Sequence, residues 1–213
     1  ITEQNNLKDK YRNHLFRNAR STDNLENYKK SFFNIVNKGW DIYIYGDPIS
    51  SIPTWFDEIK KNIYFLKNNF RKDQFNLKAA LIADCLIGPS SGASSWRYAF
   101  HTKPQLIIDS YPIGWIFYNA LNAYKFIEHH YQQKKINEVI NDQVYFFRQP
   151  PFEYRSALEE EKNAIIMDFI NNLDNLESIA MKPVDLNLNP DHPIIWSKTT
   201  ISKKWYEIQE KFL

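Results

Sequence analysis

The stretch Cys85-Leu86-Ile87-Gly88-Pro89-Ser90-Ser91-Gly92-Ala93-Ser94-Ser95 decides the reading of this chain. A short apolar run enters a turn of small residues, and Trp96-Arg97-Tyr98-Ala99-Phe100 continues it with helix-compatible residues. The pattern predicts strand, loop and helix N-terminus. Glycine opens backbone angles closed to other residues, serines supply hydroxyls, and the first helical turn offers unpaired N–H groups. Together these make a cradle for a phosphate or a sugar. The letters Gly88-Pro89-Ser90-Ser91-Gly92 also satisfy Gly-x-Ser-x-Gly, the nucleophile elbow of serine hydrolases.

Working outward, the flanking segments alternate between helical and strand patterns. Leu25, Tyr28, Phe32, Ile35 and Val36 recur at helical spacing. Asp23 with Glu26 has capping-box spacing, and Gly39 stops that helix. Trp40–Tyr45 reads as a strand ending at Gly46-Asp47-Pro48, and Ile63–Leu66 as a short one. Asp73–Ala83 reads as a helix with Phe75, Ala79 and Ile82 on one face. Cys85–Gly88 and Gln105–Asp109 read as strands, with the helix Ser94–Phe100 between them. This order implies an α/β fold with a Rossmann-like parallel sheet flanked by helices. The loops at the carboxyl strand ends then line one crevice: Gly46-Asp47, the serine-rich turn, and Asp109-Ser110-Tyr111-Pro112.

Beyond residue 115 the pattern loosens into an aromatic-rich, irregular region. Ser156 with Glu159 reads as a capping box for a helix burying Leu158, Ile165, Phe169, Ile170 and Leu173. Residues 181–200 read as an extended connector and Ser202–Leu213 as a closing helix. The aromatic belt of residues 115–155 is expected to pack on another domain, another copy, or that closing helix. The expected division is an irregular segment 1–20, a core 21–115, and an aromatic extension with closing helices over 116–213 of the same domain.

Composition bounds the function. The chain has 213 residues, 43% hydrophobic and 16% aromatic, with a formal net charge of +2. A core of this size folds, and the charge is too small and too interspersed to point to nucleic acid. No apolar run approaches the roughly 20 residues of a membrane span, and no signal peptide opens the chain. The single cysteine, Cys85, reads as a small core residue and fits a reducing compartment. Because the first residue is Ile1, the sequence is expected to be a segment of a longer chain.

The candidate sites divide into alternatives. In the hydrolase reading Ser90 is the nucleophile, Asp109 or Asp142 the acid, and His129, His130 or His192 the base. Pro89 inside the elbow and the lack of an upstream His-Gly oxyanion segment weigh against it. Glu128-His129-His130 has no third ligand at metal-site spacing, so no metal site is assigned. Arg71-Lys72-Asp73 opens the helix before the serine-rich turn. A cation there opposes the helix dipole, which an anionic ligand would explain. No Asp-x-Asp pair occurs, which disfavours single-domain metal-dependent glycosyltransferases.

Three blocks together carry a family resemblance. The first runs through Arg17-Asn18, Tyr28, Asn37-Lys38-Gly39-Trp40 and Ile42-Tyr43-Ile44-Tyr45-Gly46-Asp47. The second joins Arg71-Lys72-Asp73, Leu77, Ala80 and Ala83 through to Gly92. The third is Phe100, Lys103-Pro104 and Ile107 through Gly114. In this order they resemble the nucleotide-sugar, C-terminal domain of bacterial glycosyltransferases with the two-domain GT-B fold. The serine-rich loop is more distantly similar to that of fucosyltransferases and heptosyltransferases.

The resemblance implies a donor site. Ser90, Ser91, Gly92, Ala93, Ser94 and Ser95 would hold the donor diphosphate. Arg71 and Asp73 would match the pair opening the preceding helix, and Gly46 with Asp47 would lie near the base or sugar. It implies a metal-independent, cytoplasmic enzyme, free or peripheral at the inner face of the membrane, with no cofactor beyond its co-substrate. Its acceptor would be a glycan or glycolipid of cell-envelope or capsular polysaccharide synthesis. An N-terminal acceptor domain or partner chain would complete the cleft. The base of GT-B enzymes often comes from that half, so no catalytic residue is assigned. A nucleotide- or glycan-binding module without turnover is the alternative from another class, beside the hydrolase.

Overall fold

The computed structural model describes residues 25–46, 49, 51–66, 71–89, 103–110, 120–130, 135–141, 152–182, 185–189 and 200–212. A 3-10 turn, Leu25–Tyr28, leads directly into helix α1, Lys29–Asn37. Gly39, at φ +85°, ends it where a side chain would be strained. Strand β1, Ile42–Ile44, pairs in parallel with β2, Ile63–Phe65. A 3-10 segment, Thr54–Ile59, connects them and buries Trp55, Phe56 and Ile59. Helix α2, Lys72–Ile82, follows β2 and leads into β3, Leu86–Gly88.

The larger sheet has five strands in the order β3-β4-β5-β9-β8. Here β4 is Gln105–Ser110, β5 Leu121–Tyr124, β8 Ala180–Met181 and β9 Thr200–Ser202. Strands β3, β4, β5 and β9 run parallel, and β8 closes the edge antiparallel to β9. Every residue of β4 and β5 is buried, as a central parallel strand requires. The fold is mixed α/β with a mostly parallel central sheet flanked by helices, compatible with a Rossmann-like fold.

The structure differs from the sequence expectation in four places. The strands at Ile42 and Ile63 form a sheet of their own, not part of one continuous sheet. The described residues after 115 are more regular than the composition of that region suggests. It contributes β5, a β6 (Phe126–His130) and β7 (Phe152–Arg155) antiparallel pair, and helix α3 (Ile136–Asn141). The segment read as a connector supplies part of edge strand β8, and Thr200–Ser202 enters the sheet between β5 and β8. Helix α4, Glu159–Asn171, starts three residues after Ser156. Its cap is Glu161, whose carboxylate accepts from the Leu158 N–H at 2.8 Å. Ser156 Oγ instead accepts from Lys125 Nζ at 3.0 Å, which removes it from capping.

The main core joins α1 and α4 to the face of the large sheet that carries Leu106, Ile108, Leu121 and Ala123. Lys30 pairs with Glu160, and Asn34 Nδ2 donates to Asn163 Oδ1 at 2.9 Å along the α1–α4 contact. Glu26 accepts from Trp55 Nε1 at 3.0 Å, so it ties the 3-10 turn to the β1–β2 connection. Helix α5, Lys203–Gln209, has Ser202 as N-cap, its Oγ accepting from Trp205 N–H at 3.3 Å. Trp205 is fully buried against Tyr124 and Phe126, with ring centroids at 5.4 and 6.3 Å. Gln209 clamps the same helix to β6, accepting from Ile127 N–H at 2.7 Å and donating to Ile127 C=O at 3.1 Å. Of the three expected coverings for the aromatic belt, Tyr124 and Phe126 take the closing helix.

Candidate functional site

Parallel strands place their carboxyl ends on one edge, where ligands of α/β folds bind. At that edge β1 runs into Gly46, whose φ of +118° is open to glycine and strained for other residues. Its N–H donates to Asn76 Oδ1 at 2.9 Å, and Asn76 Nδ2 donates back to Gly46 C=O at 3.4 Å. Asn76 is buried on α2, so a side-chain amide pins the helix to the end of β1. Arg71 precedes α2 at φ +58° and its carbonyl accepts the Phe75 N–H at 3.0 Å. Arg71 and Asp73 are exposed at this helix N-terminus.

Of the expected donor-site residues, Gly46, Arg71 and Asp73 therefore share the α2–β1 junction. Ser90, Ser91, Gly92, Ala93, Ser94, Ser95 and Asp47 lie outside the described residues. The sequence reading put Phe75, Ala79 and Ile82 on one face of α2. The helix instead buries Asn76, Ala79 and Ala80, and Ile82 is exposed. Asn76 was missed because an asparagine among apolar neighbours reads as a solvent position.

A cavity of about 650 Å³ lies between the β1–β2 sheet and the five-stranded sheet. Tyr43, Ile44 and Tyr45 of the β1 segment form one wall, and Leu86, Ile87, Gly88 and Pro89 of the β3 segment another. Its volume falls within the roughly 300–1,000 Å³ of small-molecule sites. Its position is that of a topological switch point: from β1 the chain moves outward to β2, then returns past β1 to begin the large sheet.

The carboxyl end of β4 carries a buried polar cluster. Asp109 adopts φ +53°, uncommon for a residue with a side chain. Its Oδ1 accepts from Ala157 N–H at 2.7 Å and its Oδ2 pairs with the Lys162 ammonium. Lys162 also lies 4.2 Å from the centroid of the Tyr28 ring. Next to it, Ser110 is fully buried and its Oγ has no hydrogen-bond partner among the described residues. With both oxygens taken, the Asp109 carboxylate is not disposed toward a histidine, which weakens its candidacy as a hydrolase acid. Lys162 falls on the buried stripe Ile165, Ile166 and Phe169 of α4, whereas Leu158, expected on that face, is exposed at the N-cap.

Two further groups are electrostatically set. Arg155 holds Glu161 through two bonds of 2.6 and 2.7 Å and contacts Glu128 at 3.1 Å. The Glu161 partnership raises the Arg155 pKa further above its ordinary value, against the opposing effect of burial. Burial alone would raise the Glu161 pKa. The Arg155 bonds, the Leu158 N–H and the charges of Arg155 and Lys162 outweigh it, so the carboxyl titrates below its ordinary range. Burial, reinforced by Asp84 and partly offset by Lys103, pushes the Cys85 thiol up to about 11. Cys85 is thus a protonated, half-buried wall of the cavity and not a nucleophile at neutral pH.

Among the described residues no three His, Cys, Asp or Glu side chains converge to hold a metal ion. Among them, too, no helix is long and apolar enough to cross a membrane. Comparison with protein-family models, curated proteins and solved structures yields no match.

Proposed function

We propose that this chain is the donor-binding half of a metal-independent glycosyltransferase of the GT-B type. It would take a nucleotide-diphosphate sugar and present it for transfer to a glycan or glycolipid acceptor of cell-envelope or capsular polysaccharide. The observation that carries the reading is the cavity between β1 and β3, at the switch point of a mostly parallel α/β fold. The serine-rich segment Ser90–Ser95 follows β3 directly in the sequence, and its hydroxyls and backbone N–H groups would hold a diphosphate. Donors fixed around a leaving diphosphate would stabilise the charge that develops as the sugar departs. The acceptor and its base would come from a second domain or chain, and this chain would act from the cytoplasm or the inner membrane face.

Calorimetric titration with UDP, GDP, ADP and dTDP tests this. At least one should bind and slow amide exchange around Ser90–Ser95 and at Gly46. If none of the four binds, or the bound one protects a different region, the donor-site reading fails.

A further inference from the structure

Across the cavity β1 and β3 present two unfinished sheet edges. Among the described strands β1 pairs with β2 and β3 with β4, and no ladder joins β1 to β3. Successive residues of a strand point their N–H and C=O to opposite sides. The Ile42 N–H donates to the Asn62 carbonyl on the β2 side at 2.7 Å, so the N–H and C=O of Tyr43 turn toward β3. The Leu86 N–H donates to the Pro104 carbonyl on the β4 side at 3.0 Å, so those of Ile87 turn toward β1. Nearly all Cα–Cα separations between β1 and β3 exceed 8 Å, whereas paired neighbours stand about 4.8 Å apart. The gap is too wide for the two edges to bond each other and suits one strand between them.

The walls define what that strand is made of. The cavity runs along Trp40–Tyr45 on one side and Ala83–Pro89 on the other, the length of an ordinary strand. Phe32 and Ile35 of α1, Ile166 and Ile170 of α4, and Ala79 and Ile82 of α2 also line it. A strand among such side chains is apolar along its length, as a central parallel strand requires. Asp41 and Asp84 line the end where the chain enters β1 and β3, so a cation suits the first residue of a strand parallel to them. The course of the chain says where the strand comes from. Parallel neighbours are joined by a crossover, usually a helix. Helix α1 leads into β1 and lines the cavity, and among the described residues no strand precedes it. A strand in the cavity completes a strand–α1–β1 unit and therefore lies N-terminal to Leu25. Residues 1–24 contain no run of more than two consecutive apolar residues.

We propose that the cavity seats an apolar parallel strand of about five or six residues, from polypeptide N-terminal to Ile1. It bonds the backbone of Tyr43 on one edge and of Ile87 on the other, and so joins the β1–β2 sheet and the five-stranded sheet into one. Tyr43 and Tyr64 already form a cross-strand pair, with ring centroids 4.6 Å apart, and a β-branched residue of the added strand extends that row. With the strand seated, the chain runs outward from it to β1 and β2 and then returns to β3. The switch point then lies between the new strand and β3, and the crevice at the carboxyl ends stays open to a ligand.

Amide exchange tests it on three chains checked for folding by circular dichroism. One is the unaltered 213-residue chain, one carries Lys-Val-Ile-Val-Ile-Ser before Ile1, and one carries Lys-Ser-Thr-Ser-Thr-Ser there. In the unaltered chain the Tyr43 and Ile87 amides should exchange much faster than those of Ile42 and Leu86. The apolar extension should slow both at least about tenfold, and the polar one less than about twofold. Ile87→Pro removes one cavity-facing donor and leaves the Leu86 bond to Pro104, a placement that an edge strand tolerates. Added to the apolar extension, it should restore fast exchange at Tyr43. Tyr43 and Ile87 amides as slow as Ile42 and Leu86 in the unaltered chain overturn the proposal, because the two edges would already be paired. An apolar extension that slows neither amide overturns it too, as does a polar one that slows both equally. If an altered chain does not fold, the same exchange measurement on the unaltered chain with the free peptide Lys-Val-Ile-Val-Ile-Ser decides.

Discussion

Asp109 combines a left-handed backbone, near-complete burial and a fully engaged carboxylate. The strained φ costs on the order of 1–2 kcal/mol and persists only because surrounding bonds hold it. Lys162 supplies the counter-charge from α4, and Ala157 the second bond. Breaking a buried pair from one side leaves a bare charge, whereas removing both charges does not. Lys162→Met is therefore expected to destabilise the fold by about 3–5 kcal/mol. Asp109→Asn combined with Lys162→Met should recover at least about 1 kcal/mol of that, since Asn tolerates the same φ and still accepts from Ala157. Urea denaturation of the single and double variants measures this; a double variant no more stable than Lys162→Met would show that the pair carries no such charge.

At the level of elements, helix α4 shows how one cap is chosen over another. Glu159, Glu160 and Glu161 all sit in its first turn, where negative charge favours the helix dipole. Only Glu161 also reaches the Leu158 N–H and the Arg155 fork. Its pKa is depressed on folding, so its contribution is present above the ordinary carboxyl range and lost as pH falls through the lower folded value. Glu161→Gln should cost about 1–2 kcal/mol at pH 7, and the gap to wild type should narrow steadily on acidification below the ordinary carboxyl pKa. Melting curves from pH 7 downward give the test, and a gap that stays constant would assign the loss to packing and not to charge. The sequence expectation of a Ser156–Glu159 box had the right chemistry two residues early. Periodicity and cap residues show that a helix starts here, but not that Lys125, 31 residues away, occupies the serine hydroxyl.

For the whole molecule, the β1–β2 sheet and the five-stranded sheet are joined by shared side chains. Phe32 and Ile42 pack against both the main core and the smaller cluster of Trp55, Phe56, Ile59 and Ile63. Trp205 does the same work at the far end, joining β5 and β6 to the closing helix. Among the described residues its buried indole N–H has no hydrogen-bond partner. Trp205→Ala should cost about 3–5 kcal/mol. Trp205→Phe should cost clearly less, because it keeps most of the buried ring between Tyr124 and Phe126. Thermal unfolding followed by near- and far-UV circular dichroism measures both, and equal losses would show that packing of the ring contributes nothing.

The sequence by itself determined the alternation of strands and helices, the helix stop at Gly39 and a closing helix from about Ser202. It also marked Cys85 as a packing residue and not a reactive thiol. These are local properties, set by apolar period, by the conformational freedom of glycine and by side chains that bond a few residues away. Only the tertiary structure decided that β1 and β2 stand apart from the large sheet, that Thr200–Ser202 enters beside β5, and that a cavity remains between β1 and β3. It alone brought Asn76 to Gly46, Lys162 to Asp109, Gln209 to Ile127 and Tyr64 to Tyr43. Each of those pairs joins residues 21 to 82 positions apart. Polar side chains on buried faces are placed by the partner they find across the core, and no local pattern carries the partner's position.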